Sequence, residues 1–325
     1  MQNTKTVLVP DFMREPGVRL LRARDDIEVV TYKMGLPTQE LHRLLPQASA
    51  IALAATPFRR EDIEASPRLE VAARIGVGFD AVDIPALSER RIPLMVVGTA
   101  NSTSVAEHAI FMMMAVGKRA VEMDARMRGG KWHNRQEGLP LEMAGATVLI
   151  IGFGRIGTRT APRCAAFGMH VLVFDPYVKP EVIRDAGFEP VADLDAALGR
   201  ADYVTIHCPR NQETIGMFGR ERLARMKRGA ILVNTARGGI IDENALLEAL
   251  ESGQIGGAGL DVVETEPTPP GYKVVQHPNV LSSPHVAGVT YQAMDAMAVA
   301  TARNIISVLD GAPIRENVVN AEVLA

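Results

Sequence analysis

Several features are scarce in this sequence of 325 residues, and each scarcity excludes a class of protein. The two cysteines, Cys164 and Cys208, are too few for a disulfide framework or a zinc site, so we expect no metal and a reducing cytoplasm. Charges of both signs are interspersed and sum to −3, which offers no surface for nucleic acid or an anionic membrane. The most apolar helical run, AIFMMMAVG at 109–117, is about half as long as a membrane crossing requires. No secretion signal is expected in the first residues.

What is present is an ordinary globular composition arranged as alternating patterns. Hydrophobic residues make up 47% of the chain and charged residues 22%, and the length predicts two domains, each with its own core. Between residues 7 and 97, short apolar runs alternate with helical patterns, which predicts a parallel sheet covered by helices. The strand candidates in this part are VLVPDF, EVVTYK, AIALAA, EVAARIG and PLMVV.

The middle of the chain begins with a helix signal. The segment NSTSVAE places Ser104 three residues before Glu107, a spacing typical of a capping box. It predicts one long helix from Ser104 to about Met127, followed by a loop around Trp132. A second alternation comes next, and its strand candidates are ATVLIIG, HVLVFD, YVTIHC, AILVNT, GAGLDVV and NVLSS. Six strands with interleaved helices fit a doubly wound dinucleotide-binding domain.

A glycine-rich turn, GFGRIG, follows the first strand of that second alternation. Gly152 would permit the tight turn, Gly154 would let the backbone approach a pyrophosphate, and Gly157 would bring helix and strand close together. The next strand ends in Asp175, where a carboxylate can accept hydrogen bonds from the adenosine ribose. The alternative for Asp175 is a simple turn residue before a proline. Because no arginine follows Asp175 immediately, we expect NAD rather than NADP.

Three polar residues follow later strands of the same predicted sheet, namely Arg237, Glu266 and His285. Hydride transfer to a 2-oxo acid needs such a set: a cation for the carboxylate, an acid for the carbonyl oxygen, and a carboxylate that keeps the acid charged. Taken alone, Arg237 is better explained as a surface residue. His207, at the end of another strand, is better explained as a hydrogen-bonded rim residue. Surface or core positions are favoured for His42, His108, His133 and His277.

The segments GFGRIG, NTARGGIIDE, LDVVETEP and SPHVAG, in this order, resemble the signatures of the D-isomer-specific 2-hydroxyacid dehydrogenases. The resemblance covers nearly the whole chain. It implies an NAD-dependent oxidoreductase with Arg237 as carboxylate clamp, His285 as general acid or base, and Glu266 as the partner of His285. Arg74, Val77 and Gly78 are implied as further substrate contacts. The predicted cofactor contacts are Gly152, Gly154, Arg155, Ile156, Gly157, Asp175, Cys208, Pro209, Thr214, Thr235, Ala236, Asp261 and His285.

The same resemblance implies an α/β architecture of two doubly wound parallel-sheet domains. A Rossmann NAD-binding domain, 100–289, would be inserted into a flavodoxin-like substrate domain made of 1–99 and 290–325, with hinges near 100 and 289. Such proteins are usually homodimers joined through their nucleotide-binding domains, and the helix from Ser104 is the expected contact. The expected partners are thus a small 2-oxo or 2-hydroxy acid and a second copy of the chain, without nucleic acid or membrane.

The substrate and the class of activity both have alternatives. The segment VAARIGVGFDAVD resembles the phosphoglycerate dehydrogenase branch, but Leu53 and Pro57 stand where that branch tends to place phosphate-binding cations. Hydroxypyruvate, glyoxylate or a larger 2-oxo acid is an equal alternative. Formate dehydrogenases look similar but pair their histidine with glutamine, and Glu266 argues against them. A dinucleotide-sensing protein of the corepressor type would share the fold and the three polar residues without turnover.

Overall fold

Two all-parallel sheets form the framework of the protein. The computed structural model describes residues 4–54 and 56–325. The chain folds into two compact units, one made of the described residues up to Asn101 with Val289–Ala325, the other of Ser102–Gly288. The limits predicted for the substrate and NAD-binding domains are 99 and 290, whereas the first unit ends at Asn101 and resumes at Val289. The two domains and their roles stay predictions.

The strands and helices alternate along the chain as the two patterns of apolar runs predict. The strands are β1 (Lys5–Pro10), β2 (Ile27–Tyr32), β3 (Ala48–Leu53), β4 (Val71–Arg74), β5 (Leu94–Met95), β6 (Thr147–Ile151), β7 (His170–Phe174), β8 (Glu189–Pro190), β9 (Tyr203–Ile206), β10 (Ala230–Asn234), β11 (Ile255–Leu260) and β12 (Val280–Ser282). The helices are α1 (Glu15–Arg22), α2 (Thr38–Leu44), α3 (Arg60–Glu64), α4 (Ile84–Glu89), α5 (Ser102–Gly117), α6 (Ala120–Arg128), α7 (Gly157–Ala166), α8 (Pro180–Asp185), α9 (Leu194–Leu198), α10 (Arg220–Arg225), α11 (Glu243–Glu251), α12 (Lys273–Gln276) and α13 (Tyr291–Leu309).

The first unit contains a five-stranded sheet in the order β2-β1-β3-β4-β5. This order is that of flavodoxin-like folds, as the resemblance implied. All six residues of β3 are buried, because apolar side chains cover both faces of the sheet. Helix α13, from the end of the chain, packs on α1 and β4, so the two sequence segments of this unit share one core.

The second unit contains a seven-stranded sheet in the order β12-β11-β10-β9-β6-β7-β8. The order reverses between β6 and β9, and ligands of doubly wound sheets bind outside the carboxyl ends of the strands at this reversal. Parallel register aligns those ends: Ile151 lies opposite both Phe174 and Ile206, and Leu260 lies opposite Ser282. The loops that carry the predicted site residues therefore leave one edge of one sheet.

The predicted helix from Ser104 to Met127 is wrong, because the chain forms two helices there. Helix α5 begins before Ser104, which lies inside it rather than at its N-cap, and it ends at Gly117. Arg119 has a φ of 52°, a left-handed conformation that cannot continue a right-handed helix. Its Nε donates to Glu122 at 2.6 Å, within the new helix α6. The two-residue strand β8 was also missed, since it is too short to show a periodic pattern.

No helix in the described part of the chain is both long enough and apolar enough to cross a membrane.

Candidate active site

The turn after β6 brings three glycines to the reversal point of the sheet. Gly152 has a φ of 94°, and a Cβ there would lie 2.9 Å from the backbone nitrogen of Cys208. A Cβ on Gly157 would lie 2.0 Å from the carbonyl oxygen of Gly152, so only glycine allows α7 to start this close to β6. A Cβ on Gly154 would meet nothing within 4 Å. The backbone at Gly154 is therefore open on the side where a phosphate group would approach.

Asp175, directly after β7, is anchored beside this turn. One carboxylate oxygen accepts a hydrogen bond from the backbone N–H of Phe153 at 2.7 Å, and the other accepts one from Tyr177 at 2.9 Å. Each oxygen keeps a further lone pair that can accept from a ribose hydroxyl. Arg155 and Ile156 lie in the turn itself, where Ile156 precedes the first residue of α7.

The segment after β9 contributes two half-buried side chains, His207 and Cys208. Burial lowers the pKa of His207 to about 3, so its imidazole is neutral, and Nε2 lies 3.1 Å from the Thr205 hydroxyl. Burial likewise raises the pKa of the Cys208 thiol to about 11, which leaves it a poor nucleophile. The Thr214 hydroxyl donates to the Pro209 carbonyl at 2.7 Å and closes the turn that contains both residues.

The segment after β10 carries a buried hydroxyl and a cation. The Thr235 Oγ1 is buried and has no hydrogen-bond partner among the described residues. Such a hydroxyl, together with the open backbone at Gly154, fits a polar ligand such as a dinucleotide at this edge. Asn234 fixes the turn, because its side chain accepts from Ala236 N–H at 3.0 Å and donates to the Arg237 carbonyl at 2.8 Å. Ala236, between Thr235 and Arg237, is buried.

The structure brings His285 and Glu266 into direct contact. The Nδ1 of His285 lies 2.8 Å from a carboxylate oxygen of Glu266, and the other oxygen accepts from Val263 N–H at 3.1 Å. Because an ionised carboxylate is only an acceptor, Nδ1 carries the proton and Nε2 is the ring atom left for a ligand. His285 is 48% exposed and has a φ of 54°, an uncommon conformation for a residue with a side chain.

The electrostatics of this pair follow from the contact. The hydrogen bond to Glu266 raises the pKa of His285, against burial and the nearby positive charge of Arg237, which lower it. Burial pushes the pKa of Glu266 upward, but the hydrogen bonds from His285 and Val263 N–H and the positive charges of His285 and Arg237 together outweigh burial, so the pKa is lowered. The pair therefore favours a protonated imidazole beside an ionised carboxylate. Arg237 is close enough to influence both groups.

Asp261, directly after β11, is almost completely buried, with 2% of its surface exposed. Its carboxylate accepts from the Ser283 hydroxyl at 2.5 Å, from Val286 N–H at 2.8 Å and from Ala287 N–H at 2.9 Å. These contacts hold the backbone on both sides of His285. The predicted contact of Asp261 with the cofactor remains a prediction.

The remaining predicted substrate residues belong to the first unit. Arg74 ends β4, and its Nε donates to the Gly78 carbonyl at 2.8 Å, which holds the loop between them. Val77 packs against an apolar cluster that includes Val97 and Met297. The backbone of this loop is thus fixed by Arg74 from one side and by apolar packing from the other.

Two residues of the candidate site were missed from the sequence. Ser283 lies next to Pro284 in SPHVAG, where the sequence predicts only the end of a strand, although its hydroxyl contacts Asp261. The sequence favours a surface or core position for His108, and the structure places its Nε2 2.9 Å from the Ser283 hydroxyl. The position of Ser283 two residues before His285 was a usable signal, whereas no linear pattern connects residue 108 with residue 283.

Comparison with known proteins agrees with this arrangement. The model of the D-isomer specific 2-hydroxyacid dehydrogenase, NAD binding domain, matches residues 110–287. The D-3-phosphoglycerate dehydrogenase of Archaeoglobus fulgidus is 38% identical over 97% of this chain, and the chain spans 59% of the length of that relative. The glyoxylate reductase of Thermofilum pendens is 36% identical over 98% of this chain and 95% of its own length.

A solved structure shows the same architecture over the whole chain. The TT0316 protein from Thermus thermophilus is 34% identical and superposes with a TM-score of 0.88 over 97% of this chain and 99% of its own. The cofactor for which the matched domain is named is NAD, and the glycine turn, Asp175 and Thr235 are the residues here that fit it. On the sequence match, the shared fold and the geometry of the site, the chain belongs to the D-isomer specific 2-hydroxyacid dehydrogenase family.

Proposed function

We propose that this chain is an NAD-dependent dehydrogenase that interconverts a small 2-oxo acid and the corresponding D-2-hydroxy acid. The observation that carries the proposal is the hydrogen bond between His285 and Glu266, on the sheet edge that also holds the glycine turn. When bound, NAD supplies the hydride acceptor, and NADH the donor. The protein supplies the proton, the position of the substrate and the charge that stabilises it.

The roles follow from which atoms remain available. Since Nδ1 of His285 donates to Glu266, Nε2 is the atom that gives a proton to the carbonyl oxygen in reduction and takes it back in oxidation. Glu266 fixes the tautomer and stabilises the protonated ring. Arg237 holds the substrate carboxylate through charge-assisted hydrogen bonds, each of about 1.5–3 kcal/mol.

We further propose that the physiological substrate lacks a phosphate group. Leu53 is a buried apolar residue with 1% of its surface exposed, and Pro57 carries no charge, so neither position supplies a cation for a phosphate. Arg60 follows in the same segment, but its guanidinium pairs with Glu89 at 2.7 Å. Glyoxylate and hydroxypyruvate meet the requirement of a small, unphosphorylated 2-oxo acid.

A homodimer is part of the proposal, and its support lies on the second unit. Helices α5 and α6 and the loop after them expose large apolar side chains, namely Phe111, Val121, Met127, Trp132, Leu139 and Leu141. A cavity of about 280 Å³ opens among Val121, Leu139 and Leu141 at the amino-terminal edge of the sheet, opposite the glycine turn. Exposed apolar surface of this extent is typical of an interface, and a second copy is the partner that the proposal names.

The test is a panel of 2-oxo acids assayed with NADH, comprising glyoxylate, hydroxypyruvate, its 3-phosphorylated form, pyruvate and a branched 2-oxo acid. We expect turnover with the first two to exceed that with the phosphorylated acid. His285→Ala should lower the reduction rate by about 10² to 10⁴ and leave NADH affinity unchanged. Binding of NADH without turnover of any panel member would favour the sensor alternative and overturn the dehydrogenase proposal.

A further inference from the structure

A chain of hydrogen bonds connects helix α5 to the segment that carries His285. The Nε2 of His108 lies 2.9 Å from Ser283 Oγ, and that hydroxyl lies 2.5 Å from Asp261 Oδ1. The same carboxylate accepts from the backbone N–H groups of Val286 and Ala287. Hydrogen bonds thus connect both ends of the segment 283–287 to the buried carboxylate of Asp261. Ser283 in turn connects that carboxylate to His108 on helix α5.

The direction of each hydrogen bond in the chain can be assigned. A serine hydroxyl has one proton to donate, and the ionised Asp261 can only accept, so the Ser283 proton points to Asp261. The Ser283 oxygen then accepts from His108, and Nε2 of His108 must carry a proton. The side chain of His108 is 19% exposed and that of Asp261 1% exposed. Water therefore has little access to replace a hydrogen bond that either residue loses.

The backbone at His285 needs such support. A φ of 54° costs energy for a residue with a side chain and persists only where its surroundings hold it. The His285 N–H donates to the Asp261 carbonyl at 2.8 Å, so the main chain and the carboxylate of one residue together fix this turn. The contact between His285 and Glu266 depends on that turn, because χ rotation alone cannot compensate for a rotated backbone.

We infer that His108 is a positioning residue of the site: through Ser283 and Asp261 it fixes the backbone of 283–287 and so holds the imidazole of His285 against Glu266. This inference rests on the proposed function for its kinetic consequence only. His108 acts on His285 through Ser283 and Asp261: its Nε2 contacts the Ser283 hydroxyl and lies 3.7 Å from the Asp261 carboxylate.

The variants separate the hydrogen bond from the space that the ring fills. His108→Leu removes the donor and keeps an apolar side chain next to Phe111, whose ring lies 5.5 Å away. His108→Gln restores an N–H at about the position of Nε2. Ser283→Ala breaks the same chain at its middle member. His170→Leu, at the exposed start of β7, is the control for loss of a histidine elsewhere in the unit.

The kinetic readout is kcat for 2-oxo acid reduction together with NADH affinity from fluorescence titration. We expect His108→Leu and Ser283→Ala to lower kcat by about 10- to 100-fold, the usual effect of losing a residue that orients a site residue, with NADH affinity within about twofold. His108→Gln should recover most of kcat, and His170→Leu should match the parent. Melting temperatures identify a variant that fails to fold, and Ser283→Ala then decides the question in place of His108→Leu.

A second readout needs no turnover. Titration of the His285 imidazole by NMR reports its protonation, which depends on Glu266, Arg237 and Asp261, the charged groups that act on it. In His108→Leu the pKa of His285 should fall toward its ordinary value, because the imidazole no longer stays against Glu266. An unchanged titration with kcat within twofold of the parent overturns the inference. If the parent shows no turnover with any 2-oxo acid, the proposed function fails, while the titration still decides whether His108 positions His285.

Discussion

At the scale of single residues, the pair of Glu266 and His285 makes the pH dependence predictable. In the proposed mechanism, reduction needs protonated His285, so we expect activity below its raised pKa and its loss as the pH rises through that value. Glu266→Gln removes the carboxylate that raises this pKa. The loss of reduction should therefore occur at lower pH than in the parent, while oxidation of the hydroxy acid, which needs the neutral ring, should extend to lower pH.

The pairing of Glu266 with His285 is tested by the pH profiles of kcat for 2-oxo acid reduction and for hydroxy acid oxidation. A kinetic isotope effect with deuterated NADH should first confirm that chemistry limits the rate. Glu264→Gln, which removes an exposed carboxylate two residues from Glu266, is the matched control and should leave the profile in place. Profiles of Glu266→Gln that coincide with the parent in both directions would show that the pairing has no catalytic role.

Asp175 makes a second prediction at this scale, on the choice between NAD and NADP. A 2′-phosphate would be placed near its carboxylate, and like charges at such distances cost on the order of 1–3 kcal/mol. Asp175→Asn keeps an acceptor for Phe153 N–H and removes the charge. It should raise kcat/KM for NADPH relative to NADH about tenfold or more, whereas Asp185→Asn, an exposed acid on α8, should not. A parent that prefers NADPH would contradict the assignment of Asp175.

At the scale of elements, strands and their ends were predictable from the sequence, and contacts between distant segments were not. Each buried strand is a continuous apolar run, and the first polar residue after it marks the sheet edge, so Asp175, Arg237 and His285 could be assigned to one edge. The break after α5 was not predicted, because a left-handed Arg119 leaves no strong pattern. The contact of His108 with Ser283 depends on how α5 packs on β11 and β12, which linear spacing does not contain.

The junction of β6 and α7 gives a prediction at this scale from two neighbouring glycines. A methyl group on Gly157 would clash with the Gly152 carbonyl, whereas one on Gly154 would enter open space. Gly157→Ala should destabilise the protein by about 1–3 kcal/mol and lower Tm by several degrees. Gly154→Ala should keep the parent Tm and weaken NADH binding, because the methyl group occupies the approach of the phosphates.

Calorimetry and NADH titration on both glycine variants separate the two effects. Each variant adds one methyl group to the same turn, so each is the control for the other. Equal losses of Tm in both variants would show that Gly154 is also packed. Unchanged NADH affinity in Gly154→Ala would show that the phosphates of NADH do not bind against Gly154.

At the scale of the whole molecule, the exposed apolar surface around α5 and α6 predicts a dimer. Val121 is 67% exposed and Leu139 is 70% exposed, and both border the same cavity. A stable interface buries about 1,600 Å² in total, and its centre is apolar, so two charges placed there should prevent association. The double variant Val121→Glu with Leu139→Glu should therefore be a folded monomer.

Sedimentation velocity over a range of concentrations measures this directly. The parent should sediment as twice the chain mass of 35.1 kDa, and the double variant as a single chain. Val182→Glu places a charge on another exposed apolar residue, on α8 with 52% of its surface exposed, and should remain dimeric. Because the glycine turn, Asp175 and Thr235 all belong to one unit of one chain, the monomeric variant should still bind NADH. A parent that sediments as a monomer at every concentration would contradict the dimer. A double variant that stays dimeric would show that the interface lies elsewhere.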